Sequence, residues 1–149
     1  MIRLREAVGR RVIARDTAEP VGQLHGIVVD PAGRRVTAVQ VGKGHKGRFV
    51  DWSAVTGLGP DAVVVDGEAS LRAAAGEREN QVLKGDLPLL GHRVLSDTGD
   101  VLGPLDDVEI DETTGEVVAL LTGGETIVAS RLRSHGGYAV VVAAEPSPV

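Results

Sequence analysis

An internal repeat constrains the fold of this chain more than any other feature of its sequence. The first copy occupies residues 8–41 and reads VGRRVIARDTAEPVGQLHGIVVDPAGRRVTAVQV. The second copy occupies residues 90–121 and reads LGHRVLSDTGDVLGPLDDVEIDETTGEVVALL. A later stretch, residues 50–65, aligns without a gap to residues 127–142. Because the matching positions keep their order, the sequence indicates one supersecondary unit that is used twice.

The matching positions are mainly glycines and apolar residues, which suits a structural repeat better than a catalytic motif. Glycines recur where a turn or bulge needs unusual backbone angles, and apolar residues recur where side chains point into a core. The pairs are Gly9 and Gly91, Val12 and Val94, Gly22 and Gly103, Leu24 and Leu105, His25 and Asp106, Ile27 and Val108, Asp30 and Asp111, Gly33 and Gly115, Ser53 and Ser130, Leu58 and His135, Gly59 and Gly136, and Val63 and Val140.

Alternating apolar positions and turn residues predict short strands in both copies. The turn sequence 30–33, Asp-Pro-Ala-Gly, separates two apolar runs, and proline fixes its own φ whereas glycine tolerates a positive φ. Residues 122–125, Thr-Gly-Gly-Glu, predict a tight hairpin in the second copy. Residues 62–65 form an apolar run of strand length. Short strands at this close spacing are typical of small barrels and sandwiches.

The segment between the copies predicts a short helix followed by a linker. Residues 68–75, EASLRAAA, are rich in strong helix formers, and Gly76 offers a place for the helix to end. Residues 76–88 are polar and lack periodicity, which favours a linker. The predicted organisation is a first domain at 1–67, a short helix and linker at 68–87, a second domain at 88–145 and a frayed tail at 146–149.

Composition narrows the class of protein. The chain has no cysteine, which excludes disulfides, thiolate metal sites and a cysteine nucleophile. The N-terminus lacks the apolar stretch of a signal peptide, and no apolar run is long enough for a membrane span. Basic residues are mostly arginine, as is usual for proteins of GC-rich bacteria. We therefore expect a cytoplasmic bacterial protein.

The second copy, LLGHRVLSDTGDVLGPLDDVEIDETTGEVVALL followed by TIVASRLRSHGGYAVVV, resembles the PRC-barrel domain. This family takes its name from the cytoplasmic part of the photosynthetic reaction-centre H subunit and also occurs in a bacterial ribosome maturation factor. The first copy resembles it less closely, in the same order. The resemblance implies an all-β chain with two small antiparallel β-barrels in tandem. It also implies a docking role in larger assemblies, without shared catalytic residues. In its organisation the chain is similar to stand-alone bacterial proteins with two such barrels.

A compact basic cluster follows the third predicted strand. Lys43, His45, Lys46 and Arg48 lie in or beside the loop GKGHKG, with Trp52 nearby. The loop matches G-x-G-x-x-G, but a dinucleotide site needs a helix after the last glycine, whereas residues 48–52 continue as a strand. The cluster could instead contact an acidic protein surface or phosphates, or it could be a solvated loop.

An acidic strand is the second candidate surface. Along this strand Asp107 and Glu109 alternate with Val108 and Ile110, and Asp106 directly precedes them. The alternating carboxylates and apolar side chains should therefore lie on opposite faces. No calcium-binding loop sequence is present, which favours an exposed acidic face over a metal site. The paired first-copy positions are not acidic, so the acidic face is free to encode a partner.

The function we expect from sequence is a non-enzymatic adaptor whose two barrels share an apolar interface and present surfaces to a protein partner or another copy. We predict no catalytic, cofactor-binding or metal residues, because the four histidines lack ligand spacing and no nucleophile motif occurs. His25 pairs with Asp106 and His135 pairs with Leu58, so neither histidine position should need an imidazole for the fold.

Two alternatives to the adaptor remain open. Residues 1–75 hold 11 basic and 8 acidic side chains, whereas residues 76–149 hold 5 and 13, and this basic first half favours association with RNA or ribosomes. An enzyme or ligand-binding protein that uses the GKGHKG loop is the other alternative.

Overall fold

The computed structural model describes residues 1–145, which form two β-sheets of the same design. The first repeat consists of β2 (Arg11–Ala14), β3 (Pro20–Asp30), β4 (Arg35–Val41), β5 (Arg48–Asp51), β6 (Val55–Leu58) and β7 (Val63–Val65). The second repeat consists of β8 (Arg93–Ser96), β9 (Val101–Ile110), β10 (Val117–Thr122), β11 (Glu125–Val128), β12 (Leu132–His135) and β13 (Val140–Val142). Strand β1 (Ile2–Arg3) and helix α1 (Leu4–Ala7) precede the first repeat, and helix α2 (Gly76–Lys84) lies between the repeats.

Strand order confirms the internal repeat. The first sheet runs β5-β4-β3-β2-β7-β6 and the second runs β11-β10-β9-β8-β13-β12. Both sheets are mainly antiparallel, as predicted, but β2 pairs with β7 and β8 pairs with β13 in parallel. Val12 lies opposite Val63, and Val94 lies opposite Val140, so paired residues keep the same neighbours. The parallel pairs arise because the chain crosses from one sheet edge to the other, between β5 and β6 and between β11 and β12. The final hairpin then places β7 beside β2 and β13 beside β8.

One predicted pair is wrong by a single residue. The turns after Asp30 and Asp111 begin alike, because each carboxylate accepts a hydrogen bond from the backbone N–H two residues later. Four residues after each aspartate stands a residue with positive φ, Arg34 at 53° and Gly115 at 79°. Gly115 therefore corresponds to Arg34 and not to Gly33. The sequence misled because glycine is expected at a positive φ, and the first repeat places arginine there.

The two repeats contact each other through these turns, in a nearly two-fold arrangement. The Val36 N–H donates to the Gly115 carbonyl at 2.8 Å, and the Val117 N–H donates to the Arg34 carbonyl at 2.9 Å. Arg35 and Glu116 form an antiparallel bridge between them. Since Arg34 corresponds to Gly115 and Val36 to Val117, each bond is the counterpart of the other. The repeats thus pack as the subunits of an isologous dimer do, within one chain.

Buried apolar side chains from both sheets form one continuous core. Leu24 and Val39 of the first repeat belong to the same cluster as Leu105, Ile110 and Leu120 of the second. Each of these side chains is almost fully buried. The expectation that the repeats share an apolar interface is confirmed.

The helix predicted at 68–75 is wrong. Residues Glu68–Ser70 form a single 3-10 turn, and the backbone of Arg72 then pairs with Phe49 of β5 through two hydrogen bonds of 2.8 and 2.9 Å. The helix lies instead at Gly76–Lys84, within the predicted linker, and ends at Gly85 with φ of 80°. Pairing with a sheet edge and an ion pair from Arg72 to Asp51 outweigh the helix propensity of this segment.

Helix α2 is packed on the first sheet and is not a free linker. Val82 and Leu83 lie against a small apolar cluster of Val28, Ala38 and Phe49. Within the described residues, neither helix is long and apolar enough to cross a membrane. The domain limits at 67 and 88 stay a prediction. Strand β1, which lies within the predicted first domain, pairs with β9 of the second sheet. The predicted tail at 146–149 lies outside the described residues.

The contact between Trp52 and Gly115 gives a test of the interface. A Cβ atom on Gly115 would lie 2.7 Å from the indole ring, and the residue already has a positive φ. Gly115→Ala should therefore lower the free energy of unfolding by about 2–4 kcal/mol, measured in urea, since overpacking adds to backbone strain. The matched control is Gly99→Ala, where φ is 94° and no atom lies within 4 Å, so only about 1 kcal/mol should be lost. Equal losses in the two variants would contradict a tight contact.

Candidate functional site

The predicted basic cluster forms an exposed loop on the first repeat. Residues Gly44–Lys46 make one 3-10 turn, and the side chains of Lys43, His45, Lys46 and Arg48 are all exposed. Within residues 1–145, no carboxylate lies within salt-bridge distance of these four side chains. Strand β5 begins directly after the loop, as predicted, so no helix follows the last glycine and the geometry of a dinucleotide site is missing.

Trp52 does not belong to the exposed surface of this loop. Its indole packs against Gly115 of the second repeat and is half-buried. Phe49, the other aromatic residue near the loop, is fully buried. Neither Phe49 nor Trp52 therefore gives the surface of the loop a ring on which a base could stack, and the exposed imidazole of His45 is the ring that the loop itself presents.

The predicted acidic strand is covered by the N-terminus of the same chain. The Arg5 backbone N–H donates to the Asp107 carboxylate at 2.9 Å, and the Arg5 guanidinium donates to the Asp106 carbonyl at 2.9 Å. Arg3 lies 3.8 Å from the Glu109 carboxylate. Of the three acidic residues, only Asp106 is exposed. The structure therefore gives the acidic strand an intramolecular partner, residues 1–5, which sequence patterning did not reveal.

The N-terminal ammonium extends this contact. It lies 2.8 Å from the Glu112 carboxylate, and this hydrogen bond raises the pKa of the ammonium and lowers the pKa of Glu112. Both groups face solvent, so the pair orients the first residues and adds little to stability.

Arg78 of α2 connects the two repeats, and sequence reasoning missed it. Its Nε donates to the Val29 carbonyl of β3 at 3.1 Å, and its Nη1 donates to the His135 carbonyl of β12 at 3.0 Å. Its Nη2 lies 3.0 Å from Nδ1 of the His135 ring. One guanidinium thus satisfies backbone and side-chain acceptors in both sheets, because its planar fork offers several donors at fixed angles.

The His135 ring is held by hydrogen bonds at both nitrogens. Nε2 donates to the Pro88 carbonyl at 2.6 Å, which leaves Nδ1 to accept from Arg78. Burial, together with the nearby positive charge of Arg78, lowers the pKa of His135 to about 4. The expectation that this position needs no imidazole is wrong, because α2 reaches β12 and makes no such contact with the corresponding Leu58.

A second histidine replaces an arginine of the first repeat. The His92 ring meets the His135 ring edge-on, with centroids 5.9 Å apart, and its Nε2 donates to the Gly136 carbonyl at 2.7 Å. In the first repeat, Arg10 donates to the carbonyl of Gly59, which corresponds to Gly136. Both repeats therefore fix the turn before their last strand from the same position. These histidines serve the fold, and among residues 1–145 no three histidine or carboxylate side chains converge as metal ligands.

Two open depressions remain on the second repeat. The larger, about 680 Å³, is lined in part by Arg93, Val101 and Tyr138, with the Arg93 guanidinium 4.3 Å from the centre of the exposed Tyr138 ring. The smaller, about 290 Å³, lies between Arg5 of the N-terminal segment and Thr126 of β11. Both depressions are open to solvent.

His135 gives a pH test. Its pKa in the folded state, about 4, is below the ordinary 6.5, so between these values the unfolded chain binds more protons. The contribution of the neutral ring to the free energy of unfolding is therefore fully present above pH 6.5. This contribution falls by up to about 3 kcal/mol as the pH drops to 4. The variant His135→Leu carries the residue found at the corresponding position of the first repeat. Its free energy of unfolding, measured in urea, should lose most of this pH dependence. His25→Gln, at an exposed position, is the control, and an equal effect of both variants would refute the assignment.

The comparisons with known proteins agree with this architecture. The model of the PRC-barrel domain matches residues 1–72, which end at the residue that pairs with β5. No curated protein matches the chain. The match falls on the first repeat, although the second repeat resembled the family more closely by its sequence pattern. The second repeat has the same strand order. The PRC-barrel match thus covers residues 1–72, the part of the chain that holds the first repeat.

Proposed function

We propose that this protein is a non-enzymatic adaptor that docks an acidic surface of a partner protein through its basic loop, residues 43–48. The PRC-barrel match is compatible with an interaction module. The observation that carries the proposal is that the loop's basic side chains are exposed and lack a carboxylate partner within residues 1–145.

Charge on the rest of the molecule supports this choice of surface. The acidic strand is occupied by residues 1–5, and Arg72 is occupied by Asp51 and Glu79. Among residues 1–145, the loop cations have no contact of this kind with a carboxylate. Exposed charges of this kind mainly raise the association rate and select partners of opposite charge. They contribute less to the affinity. The partner surface should therefore be acidic, and binding should weaken as salt rises.

RNA association is the alternative that the same loop favours. Proteins that bind single-stranded RNA usually combine positive charge with aromatic platforms for the bases. Here Phe49 is fully buried and Trp52 packs against Gly115, so neither ring serves as a platform beside the loop, where the small imidazole of His45 is exposed. An acidic protein surface is the better complement.

The chain offers a direct test because it has only three lysines, Lys43, Lys46 and Lys84. With the full chain as bait in extract of the native cell, lysine-directed cross-linking and mass spectrometry should join partners to Lys43 or Lys46. Lys84, at the end of α2, is the internal control and should form fewer cross-links. Cross-links confined to Lys84 would contradict the loop as the docking element.

Charge reversal completes this test. The double variant Lys43→Glu with Lys46→Glu should lose the captured partners, whereas Arg11→Glu with Arg133→Glu makes the same change in net charge at exposed sites elsewhere and should retain them. Filter binding of RNA across a salt series covers the alternative. Tight, salt-sensitive RNA binding that the loop variant abolishes would replace the adaptor proposal with the RNA one.

A further inference from the structure

The edge strands of the two sheets, β5 and β11, are corresponding strands in corresponding registers. Phe49 lies opposite Gln40 on β4, and Thr126 lies opposite Leu121 on β10. Thr122 and Glu125 close the two-residue hairpin, so Thr126 is at the next, non-hydrogen-bonded pair. Its N–H and C=O therefore point away from β10, as those of Phe49 point away from β4.

In the first repeat this edge is covered by the chain itself. Phe49 exchanges two backbone hydrogen bonds with Arg72, and α2 then crosses the sheet. Leu83 of α2 lies so close to Gly47 that a Cβ there would be 2.9 Å from its side chain. As a result Phe49 is 0% exposed and Gly47 is buried.

In the second repeat the corresponding positions are open. Gly124, which corresponds to Gly47, has no atom within 4 Å of where its Cβ would be. Thr126 is exposed, and Val128, where the first repeat has Asp51, is 54% exposed. Within residues 1–145 the Thr126 backbone makes no hydrogen bond outside its own hairpin. The 290 Å³ depression lies here, lined in part by Leu121 and Glu125.

Strand β11 is short, at four residues, and begins with the charged Glu125, but it lacks three other features that protect a sheet edge. Its sequence, Glu-Thr-Ile-Val, contains no lysine or proline, and its pairing with β10 contains no bulge. Sheet edges without these features are templates for another strand.

We propose that β11 receives an extended segment of a partner protein by β-strand addition, in the way that residues 71–73 cover β5. This deepens the proposed function, because it names a second contact that such an adaptor makes. The segment pairs its backbone with Thr126 and places an apolar side chain against Val128, where the first repeat has an arginine on Asp51. A bulky apolar side chain fills the space over Gly124 beside Leu121, as Leu83 does over Gly47. A basic side chain near Glu125 completes the match.

Amide hydrogen exchange of the full chain tests the open edge. In the free protein, the Thr126 amide should exchange at least about 100-fold faster than the Phe49 amide, which is bonded to Arg72. Protection of Thr126 in the free protein would overturn the proposal. If that protection grows with protein concentration, a second copy of the chain fills the edge instead.

A synthetic peptide copied from residues 68–84, with Arg72→Val to suit Val128, is the probe for occupancy. At millimolar concentration it should slow exchange of the Thr126 amide by about tenfold or more, in line with weak strand addition. The variant Thr126→Pro removes only an N–H that points outward, which an edge strand tolerates. Because proline has no amide hydrogen, exchange is followed at the neighbouring amides of β11, where the peptide should no longer give protection. Thr126→Val keeps the N–H and should retain it.

The outcomes separate this proposal from the one for the basic loop. The variant Lys43→Glu with Lys46→Glu should still bind the peptide, because the loop lies on the other repeat. No protection in the unmodified chain, or equal protection in Thr126→Pro and Thr126→Val, would refute strand addition and leave the loop proposal untouched.

Discussion

The rest of the structure depends on the pair of hydrogen bonds between the two turns, from Val36 to Gly115 and from Val117 to Arg34. They join corresponding residues, so they place the two repeats about a local two-fold axis near Arg35 and Glu116. That arrangement brings the apolar faces of both sheets into one core. A unit of about 60 residues buries proportionately little surface and is marginal alone. The shared core compensates for that small size.

The two-fold arrangement also decides which surfaces are used. Each repeat is covered by the segment that leads into the other: residues 1–5 lie along β9 of the second repeat, and α2 lies on the first. Arg78 then bonds to β3 and β12 together. These contacts cover the acidic strand and the edge of β5. It leaves the basic loop and the edge of β11 exposed, and these are the surfaces we assign to partners.

Local patterns in the sequence predicted much of this fold. Paired positions such as Val12 and Val94 located the strands, since a repeat is visible wherever the same backbone demands the same residue type. What could not be predicted depends on contacts between distant segments. Residues 68–75 are not helical because the backbone of Arg72 pairs with Phe49 at the sheet edge. The acidic strand is not free because the Arg5 N–H donates a hydrogen bond to Asp107. His135 and Arg78 gave no signal, because their roles arise only where α2 meets both sheets.

Because the two repeats share one core, we expect them to unfold as one unit. Urea unfolding monitored simultaneously by tryptophan fluorescence and far-ultraviolet circular dichroism tests this expectation. Trp52, the only tryptophan, lies at the contact with Gly115 and reports on the interface, whereas the dichroism reports on both sheets. We expect one transition with the same midpoint for both signals. A fluorescence change that precedes the loss of dichroism, or two separate transitions, would show that the repeats separate before they unfold, and cooperative unfolding through the shared core would then be refuted.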